Sequence, residues 1–356
     1  MTFALSPSPA AVSTAATDTF AVPVRAPGIP DTPRRIIGAE RGECWLTLNL
    51  RHAGPRTVRI GYECVGAAHA PAVVVLGGIS ADRHLAATHR YPEKGWWQAQ
   101  AGSGRALDPQ RFRLIGIDWL GADGSLDEPI DTADQADALA AVLDALGVRR
   151  LHALVGASYG AMVGLQFAAR HGERVRRVLA ISGTHRAHPF ATAWRCVQRD
   201  IVRLAGNTGQ RTAALSIARQ LALLSYRTPE EFAQRFTAPA VHVDDAIEFA
   251  AQPYLRARGA DFADRFDATA FLRLSESIDL HSVDPTAIRA RTTLAGVYED
   301  RLVPIGDLYA LAEQLPDRTK LHALRSIYGH DAFLKETDAI DTVLRDALDN
   351  ACAVTA

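Results

Sequence analysis

Gly156-Ala157-Ser158-Tyr159-Gly160 is a Gly-x-Ser-x-Gly pentapeptide. The apolar run Leu151 to Val155 leads into it, and a helical pattern from Gly160 to His171 leads out. In a strand–turn–helix of this kind the serine hydroxyl stands above the sheet, and the turn is too sharp for side chains two residues either side. The Tyr159 backbone N–H then lies at a helix N-terminus, whose positive end favours a developing oxyanion. A serine hydroxyl needs a base before it attacks a carbonyl. Further along, Glu299-Asp300-Arg301 follows the apolar run Thr292 to Val297, and Tyr328-Gly329-His330-Asp331 follows Leu321 to Ile327. Serine, acid and histidine at successive strand ends, in that order, make a nucleophilic triad of Ser158, Asp300 and His330. Asp300 is preferred to Glu299 because it sits nearer the Leu302-Val303-Pro304 turn. His84, His171 and the other histidines lack such a placement. The second oxyanion donor should come from the loop Gly77-Gly78-Ile79-Ser80, and the Ile79 N–H is our choice because glycines let the backbone approach closely.

These residues need a frame that holds strand ends together. Alternating patterns at Cys44–Leu48 and Val58–Cys64 read as an edge hairpin. Ala72–Leu76 and Phe112–Trp119 are continuous apolar runs, as in strands buried on both faces. Thr132–Leu146 has helical spacing and stops at Gly147. Val175–Ser182 is another strand, Ile305–Leu315 a helix, and Asp338–Leu348 a closing helix. Strands alternating with helices predict an α/β fold with a mostly parallel central sheet flanked by helices. Between 186 and 288 there is no strand-like run. The pieces Ala213–Leu224, Pro229–Phe236, Val243–Ala257 and Thr269–Ile278 all carry helical periodicity. The expected organisation is a core domain from 36–185 and 289–356, with 186–288 as a helical lid insertion. In the first 33 residues, 21 are Pro, Ala, Ser or Thr, so 1–35 reads as a disordered tail.

The 356 residues carry 39 basic and 40 acidic side chains, so no basic field exists to hold nucleic acid or an anionic membrane. No apolar stretch is long enough to span a bilayer. Cys44, Cys64, Cys196 and Cys352 form no Cys-x-x-Cys pair and no zinc-spaced cluster, so neither a metal nor a disulfide is expected. A cytoplasmic protein without a secretory signal follows.

Over most of residues 40–345 the chain resembles the homoserine O-acyltransferases of the α/β-hydrolase fold. The resemblance rests on Gly95-Trp96-Trp97, Gly104-Arg105-Ala106-Leu107-Asp108, Gly-Ala-Ser-Tyr-Gly-Ala-Met at 156–162 and Gln198-Arg199-Asp200. Ser225-Tyr226-Arg227, Arg265-Phe266-Asp267-Ala268 and Tyr328-Gly329-His330-Asp331-Ala332-Phe333-Leu334 complete it. Where that family usually has Gly-Gly-Ser-Met-Gly-Gly, this chain has Gly-Ala-Ser-Tyr-Gly-Ala, which resembles the succinyl-transferring branch. The resemblance implies a ping-pong acyl transfer from succinyl-CoA, a co-substrate and not a cofactor, to L-homoserine in methionine biosynthesis. It implies Arg199 at the homoserine carboxylate, Asp331 at its ammonium, Tyr226 on the pocket wall, and a homodimer packed through the insertion. Acetyl transfer to homoserine, acyl transfer to serine, and plain ester hydrolysis by the same triad are the alternatives. For the donor, the segment Gly183-Thr184-His185-Arg186 leaves a strand end beside the site. The Arg186 guanidinium is therefore expected to meet the succinyl carboxylate in a poorly solvated pocket.

Overall fold

The computed structural model describes residues 38–206, 209–316 and 319–349. The segment 1–35 lies outside them. The chain opens with a hairpin of β1 (Ala39–Leu50) and β2 (Gly54–Val65). The strands β3 (Ala72–Leu76) and β4 (Arg113–Ile117) follow, then helix α1 (Thr132–Ala145). Next come β5 (Ala153–Ala157), α2 (Tyr159–Arg170) and β6 (Arg177–Ile181). The sheet runs β1-β2-β4-β3-β5-β6 and ends in two strands from the last third of the chain, β9 (Arg291–Val297) and β10 (Lys320–Leu324). From β4 to β10 every neighbouring pair is parallel, while β1, β2 and β4 pair antiparallel. The burial patterns follow from position. All five residues of β3 and of β5 are buried, because helices cover both faces there. β1 alternates exposed and partly buried residues, as an edge strand with one solvated face does.

On one face Leu139 and Leu143 of α1, Leu165 and Phe167 of α2, and Leu308 and Leu311 of α8 (Ile305–Gln314) fill the core. On the other, beyond the short α9 (Ala332–Lys335), Ile340, Val343, Leu344 and Leu348 of α10 (Thr337–Asp349) pack with Trp97 and Leu107. The spacing of those α10 residues is that of an apolar stripe on an amphipathic helix.

Between β6 and β9 lie α3 (Pro189–Leu204), α4 (Arg211–Tyr226) and α5 (Pro229–Arg235). They are followed by α6 (Ala251–Ala263) and α7 (Ala268–Asp279). The expectation of no strand in this stretch is corrected: β7 (Val241–Val243) and β8 (Ala246–Glu248) form an antiparallel hairpin. Asp244 turns it with a left-handed φ of 51°. Three-residue strands are too short to impose a period of two over a sequence window, which is why Val243–Ala257 read as helix.

The helix α3 inverts the usual amphipathic arrangement. Its buried positions are Ala191, Gln198, Arg199 and Val202, while Phe190, Val197 and Leu204 stand exposed at seven-residue spacing. The polar inner face looks toward the carboxyl ends of the central strands, where the candidate site lies.

Candidate active site

Ser158 sits between β5 and α2 with φ 55° and ψ −117°, a backbone conformation that L side chains rarely adopt. Gly156 and Gly160 permit the turn: a Cβ on Gly156 would lie 2.1 Å from the Gly160 carbonyl oxygen, and one on Gly160 would lie 2.3 Å from that of Leu76. The amide of Gly160 donates to the Gly77 carbonyl at 2.8 Å, tying the helix N-terminus to the loop after β3.

The structure brings the three expected residues together across the strand ends. The Ser158 Oγ–H donates to His330 Nε2 at 2.8 Å, and His330 Nδ1–H donates to Asp300 Oδ2 at 2.7 Å. Asp300 is held from behind, since its Oδ1 accepts from the amides of Leu302 (2.8 Å) and Val303 (3.0 Å). Its neighbour Glu299 is occupied elsewhere, by Arg325 and the Ser326 amide. His330 and Asp300 are both buried. Rings flank the histidine, with Tyr226 and Phe333 centred 6.0 and 6.1 Å from it. The amides of Ile79 and Tyr159 carry no backbone acceptor among the described residues, and both residues line the same cavity as Ser158.

Burial by itself disfavours the imidazolium of His330. The charge and hydrogen bond of Asp300, helped by Asp331, outweigh both that and the opposing charge of Arg195, so the histidine pKa lies above its ordinary value. The neutral ring is the base, so the nucleophilicity of Ser158 should rise with pH along a limb whose midpoint lies above about 6.5. Asp331→Asn should move that midpoint lower by removing one of the charges that raises it. The rate of Ser158 labelling by a fluorophosphonate, followed against pH, checks both the position and the shift.

The cavity above the triad has a volume of about 1110 Å³ and is walled by the insertion helices on one side and the loop 78–84 on the other. Its substrate-facing residues differ from expectation at three points. Arg199 does not line it. The Arg199 guanidinium is turned away and donates to Asp279 (2.6 Å) and to the Ser275 carbonyl (3.1 Å) and hydroxyl (3.0 Å). One helical turn earlier, Arg195 shares that same Asp279 and does line the cavity. Arg186 lines the rim but is exposed, so it does not sit in a poorly solvated pocket. Asp331 lines the cavity as expected, yet its carboxylate is already paired with Arg227 at 2.8 Å.

The arginine that motif matching passed over is Arg219 of α4. Its guanidinium carbon lies 5.2 Å from the Tyr226 ring centre and 4.9 Å from that of Phe262, with no carboxylate partner among the described residues. Arg219 and Tyr226 line the cavity together, at seven-residue spacing on one face of α4. That spacing is a signal the sequence carries. The Gly95-Trp96-Trp97 block lines the cavity and also braces the histidine segment. Trp97 Nε1–H donates to the Phe333 carbonyl at 2.9 Å and Gln100 Nε2–H to that of Thr337, clamping the segment that bears His330.

Among the described residues no cluster of three or more His, Cys, Asp or Glu could hold a metal ion, and no helix is long and apolar enough to cross a membrane.

A family profile described as the alpha/beta hydrolase fold matches residues 71–337. The chain is 56% identical to the homoserine O-succinyltransferase of Xanthomonas campestris pv. campestris, over 87% of this chain and 84% of that one. It is 32% identical to the serine O-succinyltransferase of Litchfieldella anticariensis, over 82% and 93%. It is 30% identical to a homoserine O-acetyltransferase of Clavibacter michiganensis subsp. michiganensis, over 82% and 88%. Among solved structures, a homoserine O-acetyltransferase from Bacillus anthracis superposes with a TM-score of 0.79 at 16% identity, covering 87% of this chain and 98% of its own.

Proposed function

The chain belongs to the α/β-hydrolase family and, within it, to the homoserine O-acyltransferases, and on that premise we propose that it moves a succinyl group from succinyl-CoA to the hydroxyl of L-homoserine, an early step of methionine biosynthesis. The high identity to the Xanthomonas homoserine O-succinyltransferase carries the choice of donor and acceptor. The geometry of the site supplies the route.

Ser158 Oγ attacks the thioester carbonyl while His330 Nε2 takes its proton. The negative charge moves to the carbonyl oxygen, where the Ile79 and Tyr159 amides receive it. The C–S bond then breaks, His330 returns the proton to the leaving thiolate, and succinyl remains on Ser158 as an ester. In the second half the homoserine hydroxyl gives its proton to His330 and attacks that ester. Collapse releases O-succinylhomoserine and restores the Ser158 hydroxyl.

Homoserine is a zwitterion and needs an anion and a cation near His330. Asp331, next in sequence to the histidine, supplies the anion through its Oδ1, its Oδ2 being paired with Arg227. Arg219, stacked on Tyr226, supplies the cation, in place of the buried Arg199. A guanidinium between aromatic faces keeps its planar donor fork available for a carboxylate.

A steady-state matrix of succinyl-CoA and acetyl-CoA against homoserine and serine tests the assignment. The pair succinyl-CoA and homoserine should give the highest kcat/KM, and a higher value for any other pair overturns it.

A homodimer belongs to the same reading. Phe190, Val197 and Leu204 form an apolar outer stripe on α3, and Leu204 is 90% exposed. Burying such a stripe against a second copy would remove it from water. Sedimentation at micromolar concentration should give a dimer that Val197→Glu with Leu204→Glu converts to a monomer with intact Ser158 labelling. A monomeric wild type contradicts this part.

A further inference from the structure

The inner face of α3 holds a polar group that the chemistry above does not use. Gln198 is 3% exposed and lines the catalytic cavity, yet its carboxamide makes no hydrogen bond among the described residues. Leaving a buried amide unpartnered is costly, and buried polar groups normally have partners. It lines the cavity, where a ligand can replace water as its partner.

Charge points the same way. Arg195 and Arg199 share the single carboxylate of Asp279, at 2.6 Å each. Both guanidinium groups are largely buried, so this cluster holds two positive charges against one negative. Arg195, three residues before Gln198, is the member that lines the cavity, and residues three apart on a helix are surface neighbours. One strand over from the nucleophile, Ser182 also lines the cavity, with a buried hydroxyl that has no partner among the described residues.

The reaction itself calls for a second anion site. In its second half a succinyl ester on Ser158 and homoserine occupy the cavity at once, and each carries a carboxylate. Two like charges in a partly buried pocket repel unless separate cations take them. Arg219 on α4 stacks on Tyr226, whose ring neighbours His330; Arg195 and Arg199 on α3 carry more positive charge than their shared Asp279 balances.

We infer that Gln198, beside Arg195, is the determinant of acyl specificity: its Nε2–H donates to the distal carboxylate of a four-carbon dicarboxylic acyl group. An acetyl group has no carboxylate to accept that hydrogen bond. This rests on the succinyl-transfer reading and goes beyond it by naming where the acyl tail is read.

The test measures kcat/KM with succinyl-CoA and with acetyl-CoA, at saturating homoserine, for the wild type, Gln198→Met and Gln198→Glu. Gln198→Met keeps the length of the side chain and removes the donor. It should lower the succinyl-CoA value about 10- to 100-fold, the range for losing a hydrogen bond to a charged group, and leave acetyl-CoA within about twofold. Gln198→Glu, nearly the same shape with a like charge, should lower succinyl-CoA further and again spare acetyl-CoA. Labelling of Ser158 by a fluorophosphonate reports the fold of each variant. If Gln198→Met labels poorly, the Glu variant alone decides. An equal loss with both donors, a change confined to the homoserine KM, or no change overturns the inference. A wild type that turns over acetyl-CoA and not succinyl-CoA sinks the succinyl-transfer reading instead, which is a separate result.

Discussion

Ser158→Ala is expected to lower acyl transfer by about four to six orders of magnitude while leaving the melting temperature nearly unchanged. Alanine keeps the Cβ, so the turn at φ 55° is as well filled as before, and only the hydroxyl that donates to His330 is gone. His330→Ala should fall to a similar floor. The double variant should be little worse than either single one, because members of a triad act as a unit. A Ser158→Ala enzyme retaining more than about a tenth of the wild-type rate would rule out Ser158 as the nucleophile.

Arg219→Met is expected to separate the two halves of the reaction. Losing a charge-assisted contact to the homoserine carboxylate should lower kcat/KM for homoserine about 30- to 150-fold. Acylation of Ser158 by the donor, measured as a burst of CoA without homoserine, should stay within about threefold. Methionine retains much of the packing between Tyr226 and Phe262, so the insertion should stay folded. Arg199→Met is the instructive comparison. It removes a buried partner of Asp279 and so should cost stability, seen as a lower melting temperature, before it alters homoserine binding. If Arg199→Met raises the homoserine requirement as strongly as Arg219→Met at equal stability, the acceptor assignment is wrong.

The meeting of Ser158, Asp300 and His330 was legible in the sequence because each follows a strand. β5 and β9 are buried and show as short apolar runs bounded by turn residues, while β10 is a partly exposed edge strand marked by its place last in the order. Ser158, Asp300 and His330 could be named from that alone. The choice of Asp300 over Glu299 rested on the turn behind it, and the amides of Leu302 and Val303 are what hold that carboxylate. The cation was not legible in the same way. Arg195, Arg199 and Arg219 all fall in helices; Arg195 and Arg219 line the cavity while Arg199 does not, its guanidinium being held by an acid 80 residues later. Asp279 arrives from the far end of the insertion and engages Arg199 and Arg195 together. No local pattern announces that. Arg186 was misread for a related reason: a segment leaving a strand end was rightly placed beside the site, but solvent exposure depends on what covers it. The Gly-Trp-Trp block shows a third limit. Its indole bonds a carbonyl 236 residues away, so its motif was visible while its job of holding the histidine segment was not.

One measurement bears most directly on the central claim that Ser158 carries an acyl group to homoserine and not to water. Intact-protein mass should show one succinyl adduct on the wild type mixed with succinyl-CoA, and none on Ser158→Ala. With a thiol reagent present, CoA release should stop after about one equivalent and resume on adding homoserine, with loss of the adduct. Sustained CoA release in buffer alone, unaffected by homoserine, would contradict the account and make the protein a thioester hydrolase.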